Sequence, residues 1–326
     1  MNRRRKLTLA LGAAALGAPL AALAQQRANT PRIGFLSPES PSDPVQVKRL
    51  DALRSGLREL GYVDGKSVVI EVRWADGNYD RLQALAAELA ALKVDAIVVS
   101  GTKGTLAARR ATTSIPIVMG SSGDPIALAV TTSLARPSGN VTGWTFFGTE
   151  VASKVLELLM EAAPRIARMA YLVNPAEANY AYETLVRTAG ARQAQLSAFE
   201  VRAPAELERA FAQIAAARCD GLMVQGGSMF AGNMRTIAGL ALKHRLPSGS
   251  PLYDFAEAGG LLTYGPDRIE GYRRAAFFVD RIVKGAKPAE LPIEQASKFE
   301  FFINMATAKS LGLAIPPTLQ SRARLI

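Results

Sequence analysis

The chain has 326 residues but one cysteine, Cys219, and one histidine, His244. A single cysteine excludes an intramolecular disulfide. No cluster with zinc spacing can be assembled from so few ligands. A Ser-His-Asp triad would have to use His244, which falls on an expected helix before Arg245-Leu246-Pro247, and nothing places it near Ser121 or Ser122. Phosphate cradles are missing as well. No GxGxxG follows the first apolar run, no GxxxxGK[ST] occurs, and Gly101-Thr102-Lys103-Gly104-Thr105 has the wrong spacing. Gly120-Ser121-Ser122-Gly123-Asp124 fails the G-x-S-x-G pattern, because Asp124 stands where the second glycine belongs. Asp76 and Asp80 lack the glycine and glutamate of a calcium loop. With no complete constellation the chain reads as a non-enzyme, and neither a metal nor a cofactor is expected.

Charge is also informative by where it is not. Residues 1–24 contain no acid and four bases, Arg3, Arg4, Arg5 and Lys6, which leaves 35 basic against 28 acidic residues in the remainder. That surplus forms no long basic tract and no aromatic-basic alternation, so nucleic acid is not an expected partner. After Ala24 no uninterrupted apolar run approaches the roughly 20 residues that span a bilayer. The first 24 residues read as a signal peptide. A basic start precedes an apolar run over 7–23, and Ala22-Leu23-Ala24 supplies the small-x-small cleavage pattern before Gln25. Arg4-Arg5-Lys6-Leu7 also allows a twin-arginine reading alongside the general secretory one. No cysteine lies at the cleavage point to carry a lipid anchor. The mature protein is therefore expected to be periplasmic and not membrane-spanning.

What is present is a core and a rhythm. Hydrophobic residues make up 49% of the chain, ample for more than one core. Strands are expected over 32–36, 68–72 and 96–99, and at Ile117-Val118-Met119. Between them Val47, Leu50, Leu53, Leu57 and Leu60, then Leu82, Leu85, Ala86, Leu89 and Leu92, recur at helical spacing. Asp124-Pro125 is a good helix start, its carboxylate free to cap N–H groups. The turn formers of Ser138-Gly139-Asn140-Val141-Thr142-Gly143 break the rhythm. A second series then follows, with strands over 170–173, 196–201 and 221–224 and helices over 178–189 and 205–217. Continuous apolar strands alternating with helices indicate parallel sheets covered on both faces.

The two series resemble each other. Lys93-Val94-Asp95-Ala96-Ile97-Val98-Val99-Ser100-Gly101 aligns with Arg218-Cys219-Asp220-Gly221-Leu222-Met223-Val224-Gln225-Gly226. Two lobes of one design would face each other across their strand ends, where open parallel sheets bind ligands. The strand-end candidates are Ser37 and Pro38; Ser100, Gly101 and Thr102; Ser121, Ser122 and Asp124; Asn174; Gln225 and Gly226; and a loop beginning at Ser248. Their hydroxyl, amide and backbone groups offer hydrogen bonds with little fixed charge, as a pocket for a small solute requires. Tyr253 and Phe255 are candidates to stack on a flat ligand.

Several stretches carry a family likeness: Gly61-Tyr62-Val63-Asp64-Gly65-Lys66, Val69-Ile70-Glu71-Val72-Arg73-Trp74-Ala75, Ser133-Leu134-Ala135-Arg136-Pro137-Ser138-Gly139-Asn140-Val141-Thr142-Gly143, Glu257-Ala258-Gly259-Gly260-Leu261-Leu262-Thr263-Tyr264-Gly265, Lys284-Gly285-Ala286-Lys287-Pro288 and Leu311-Gly312-Leu313-Ala314-Ile315-Pro316-Pro317. Together they resemble the exported substrate-binding proteins of ABC transporters with the type I periplasmic-binding fold, in the branch that includes aromatic amino-acid binders. The resemblance implies two doubly wound α/β lobes joined by three crossovers. Lobe 1 would hold residues 30–145 plus about 265–290, and lobe 2 residues 146–264 plus about 291–326. It also implies a small-molecule ligand, an amino acid or aromatic compound, and an ABC permease with its ATPase as partners. An amino-acid ligand needs an acid for its ammonium, for which Asp124, Asp254 and Glu177 are candidates, whereas the loop at Gln225 offers none. A ligand-sensing module for a membrane receptor and a secreted hydrolase using the same cleft are the alternatives.

Overall fold

The computed structural model describes residues 30–146, 148–177 and 181–326. The expected signal peptide lies outside the described residues, as do the first residues of the helix expected over 178–189. The first lobe alternates β1 (Arg32–Ser37), α1 (Pro44–Glu59), β2 (Val69–Trp74), α2 (Leu82–Ala91), β3 (Ala96–Ser100), α3 (Gly101–Ala111) and β4 (Ile117–Ser122), and adds β5 (Val141–Thr145). Its strands are parallel in the order β2-β1-β3-β4-β5. Ile33, Phe35 and Leu36 on β1 and Ile97, Val98 and Val99 on β3 are all fully buried, because helices cover both faces of the sheet. Local chemistry starts α1: Asp43 Oδ1 accepts from the Val45 N–H at 2.9 Å, and Pro44 occupies the first turn.

The second lobe follows the same plan. It contains α4 (Gly148–Ala162), β6 (Arg168–Val173), α5 (Tyr182–Gly190), β7 (Gln195–Glu200), α6 (Leu207–Ala216), β8 (Gly221–Val224), α7 (Ser228–Ala231), α8 (Met234–Lys243), β9 (Ser248–Ser250) and β10 (Leu262–Gly265). The strand order is β7-β6-β8-β9-β10, the counterpart of the first sheet. The matching sequence stretches fold into one device used twice. Lys93 and Arg218 both take φ of +53° where the chain turns from a helix into β3 and β8. Asp95 Oδ2 accepts from the Arg32 N–H at 2.7 Å, and Asp220 Oδ1 accepts from the Arg168 N–H at 2.8 Å. Each aspartate thus ties the start of its own strand to that of the neighbouring strand.

The chain crosses between lobes three times. After β5 it enters α4, whose Val155, Leu156 and Leu159 pack in the second lobe with Leu261 and Leu262. After β10 it returns as α9 (Arg268–Val283), which buries Tyr272, Ala275, Ala276 and Val279 against Phe35, Val118 and α1. β11 (Glu294–Gln295) then joins the first sheet beside β5. The last crossing leads to β12 (Glu300–Ile303), antiparallel to β10, and on through α10 (Met305–Leu311) and α11 (Pro317–Gln320) to β13 (Arg324–Leu325).

Four local expectations are corrected. The last crossing falls after residue 295 rather than at 291, because Leu291 and Ile293 are buried in the first lobe and Glu294 pairs with Arg274 at 2.6 Å. The turn formers at 138–143 run into a strand, β5. Ser248 begins a short buried strand, not a loop. No helix follows Asp124. The chain makes a single turn, in which the Val130 and Thr131 N–H groups both reach the Pro125 carbonyl, and Ala129 leaves the helical region at φ +51°.

Candidate functional site: the cavity between the lobes

A cavity of about 90 Å³ lies between the strand ends of the two lobes. Phe146, just past β5, Tyr171 on β6, Ala152 on α4 and Pro251 after β9 supply apolar walls. Thr102, Asp124, Thr149, Glu177, Gln225 and Arg268 supply the polar ones. An apolar box with a few convergent polar groups suits a small solute and shuts out a macromolecule.

The strand-end candidates divide. Thr102, Asp124, Gln225 and Gly226 line this cavity. Thr102 Oγ1 accepts from the Gly123 N–H at 3.3 Å. Asp124 Oδ1 accepts from the Ile126 and Ala127 N–H groups at 2.8 and 3.2 Å, so its carboxylate caps the turn and borders the cavity at once. Gln225 Oε1 accepts from the Asn174 N–H at 2.8 Å, which locks two strand ends of the second lobe together. The others serve the scaffold. Ser37 donates to Gln46 Oε1, and Pro38 is buried beside it. Ser100 Oγ is 2.7 Å from the Tyr272 hydroxyl. Gly101 opens α3 at φ +71° and faces Ser228 of the other lobe. Ser121 and Ser122 are still in β4 and buried, with Ser122 Oγ 3.5 Å from Thr105 Oγ1, so the cavity wall begins one residue later, at Gly123. Asn174 lies at a more open groove between the lobes. Phe255 is fully buried in the second lobe's core against Gly260. Tyr253 stands edge-on to Phe302 and donates to Glu300 Oε2 at 2.9 Å, outside this cavity.

Several lining groups escaped the sequence reading. Arg268 stands in the first turn of α9, behind the Asp267 cap, and its guanidinium lies over the Phe146 ring at 4.1 Å. Nη1 donates to the Gly226 carbonyl at 3.2 Å. Burial, and then the nearby Arg49 charge, lower its pKa to about 10. Tyr171 sits inside a strand and stacks on Tyr182 with planes 7° apart, and burial pushes its phenol upward.

Beside the cavity the lobes are bonded to each other. The Tyr79 hydroxyl, from the first lobe, donates to Glu177 Oε1 of the second at 2.7 Å and lies 3.3 Å from Glu39 Oε1. The Ser228 N–H also donates to Glu177 Oε1, at 3.2 Å. Desolvation, followed by the Glu177 and Asp43 charges, pushes Glu39 up to about 7, against the Tyr79 hydrogen bond and Arg49.

Two matched doubly wound lobes, three crossovers and a cavity at the facing strand ends define a type I periplasmic-binding-protein fold. The chain belongs to the ABC transporter substrate binding protein family, whose model matches residues 42–325. The Tyrosine-binding protein of Clostridioides difficile (strain R20291) is 24% identical over 279 residues, covering 83% of this chain and 80% of that protein. The structure of the ABC domain from Streptococcus pneumonia in complex with L-Trp is 24% identical, with a TM-score of 0.82, over 91% of this chain and 99% of that one. The ligand-free, open structure of a Clostridium difficile substrate binding protein with adhesive properties is 21% identical over the same shares, with a TM-score of 0.63. Among the described residues no helix is long and apolar enough to cross a membrane.

Proposed function

We propose that this chain is the periplasmic solute receptor of an ABC importer. It captures a small molecule by lobe closure and delivers it to a membrane permease driven by an ATPase. The observation that carries this reading is the cavity between the lobes, beside which the hydrogen bond from Tyr79 to Glu177 joins one lobe to the other. Such a bond exists only while the lobes are together, so ligand capture and closure are one event. The higher overlap with the tryptophan complex than with the open relative agrees with a closed arrangement here. The names of the relatives, with Phe146 and Tyr171 as aromatic walls, favour an amino acid or aromatic compound.

The test is a thermal-shift screen of the exported protein against amino acids, aromatic acids and sugars. A solute present at about 100 times its Kd stabilises the folded state by about 2.7 kcal/mol, a readily measured rise in melting temperature. If no solute shifts melting, yet product forms from added esters or amides, the receptor reading is wrong.

A further inference from the structure

Two cations stand where the lobes meet. Arg268 belongs to α9, which packs in the first lobe, yet its guanidinium is covered from the second. Nη1 donates to the Gly226 carbonyl at 3.2 Å, and a methyl added to Gly226 would fall 2.8 Å from Nη2 and 2.9 Å from Pro251 Cγ. Nε and Nη2 are sealed there with no partner among the described residues. Arg49 approaches from α1. It is only 5% exposed, its Nε is sealed and unpartnered in the same way, and Nη1 reaches Ser100 Oγ at a long 3.4 Å. Both side chains border a second cavity, of about 150 Å³, which Ala231, Met234 and Leu252 of the second lobe close off. Lys48, Asp254 and Asp267 border it too. Even so, among the described residues neither guanidinium has a carboxylate within ion-pair distance.

Sealed donors are out of reach of water and ions for as long as the lobes stay together. Each unmade hydrogen bond, and each charge without a counter-charge, therefore counts against the closed form. The two cations also oppose each other. Burial, and then the Arg49 charge, bring the Arg268 pKa down to about 10, and Tyr272 and Glu177 offset this only in part. The Phe146 ring at 4.1 Å returns some of the lost solvation but supplies no acceptor for Nε or Nη2. When the second lobe swings away, Gly226 and Pro251 leave with it, water reaches both nitrogens, and the repulsion is screened. We propose that Arg268 and Arg49 form a charge spring that holds the solute-free receptor open. This rests on the reading above that the lobes open and close, and it adds what sets their resting state. An open rest keeps the cleft accessible, and the lobes close only when contacts to a solute outweigh the spring.

The experiment is solution X-ray scattering and amide hydrogen exchange of the solute-free protein, wild type beside Arg49→Met, Arg268→Met, Arg49→Lys and Arg268→Lys. Methionine removes the charge and keeps most of the side chain's length, whereas lysine keeps the charge. Solute-free wild type should have a larger radius of gyration than the closed lobes described above would give. Both methionine variants should be more compact than wild type, and their amides over 226–231, which face the first lobe only in the closed form, should exchange about tenfold more slowly. Both lysine variants should match wild type in each respect, which loss of packing alone would not produce. Arg49→Gln, neutral but polar, serves should a methionine variant fail to fold. Methionine variants with the radius and exchange of wild type overturn the proposal. Lysine variants that compact as far as the methionine ones overturn it too, as does a solute-free wild type that already scatters as closed lobes. None of these measurements uses a solute, so the spring can fail while the receptor reading stands. A solute panel in which nothing binds removes the receptor reading and leaves the comparison of radii to decide the spring.

Discussion

Ligand affinity should depend on pH through Glu39. Glu39 is 9% exposed and 3.3 Å from the Tyr79 hydroxyl, whose single proton already goes to Glu177 at 2.7 Å. A protonated Glu39 can donate to Tyr79, whereas a charged Glu39 meets the charges of Glu177 and Asp43 with only Arg49 and the shared hydroxyl to offset them. Opening the lobes removes Glu177 and restores water, so the carboxyl returns from about 7 toward its ordinary 4.5. The closed form therefore binds protons more tightly than the open form. Closure is unhindered below about 4.5, loses favour as the pH rises from there to about 7, and bears the full penalty above 7. At about 1.4 kcal/mol per factor of ten in proton affinity the ceiling is on the order of 3 kcal/mol, and burial retained in the open form lowers it to roughly 1–3 kcal/mol. The bound solute should thus be held some 10–100-fold more weakly at pH 8 than at pH 5. Glu39→Gln should flatten that profile and bind more tightly than wild type at pH 8. Titration calorimetry at four or five pH values measures both. Parallel profiles for wild type and Glu39→Gln would refute the reasoning.

Four further substitutions probe the scaffold. Gly271 lies at the end of the first turn of α9, where an added methyl would meet the Gly120 carbonyl oxygen and, at 2.7 Å, Trp144 Cε3. Gly271→Ala should therefore cost about 3 kcal/mol or more in urea unfolding, despite a helix-propensity gain of about 1 kcal/mol. Asp95→Ala removes one strand-start hydrogen bond and should cost about 1 kcal/mol, whereas Asp220→Ala also frees the Ala167 N–H and should cost more, about 2 kcal/mol. Phe255→Ala should destabilise the protein by about 3–5 kcal/mol yet leave the affinity of the folded protein within threefold, since the ring fills the core and not the cavity.

The sheets were legible where burial on both faces demanded unbroken apolar runs, as in β1, β3 and β8, and the twin aspartates announced the duplicated lobe. β5 was hidden because its composition is that of a turn: Gly143 sits at φ +122° with its backbone pressed against Met119, which leaves no room for a side chain. β9 is Ser-Gly-Ser, and its polar groups are satisfied inside the fold, Ser250 donating to the Val224 carbonyl. Of the strand-end candidates, Thr102, Asp124, Gln225 and Gly226 line the cavity, whereas Ser121 and Ser122 are kept in the sheet by the final residues of β4. Strand-end logic missed Arg268 and Tyr79 because each reaches the cavity or its edge across a lobe boundary, a tertiary relation that no local pattern records.

Solution X-ray scattering of the protein, with and without the solute that most raises its melting temperature, tests most directly whether binding is closure of two lobes on a small molecule. The radius of gyration should fall when the solute is added, and it should fall less at pH 8 than at pH 5. A solute that binds tightly while the scattering curve stays unchanged at both pH values would contradict a receptor that works by closing.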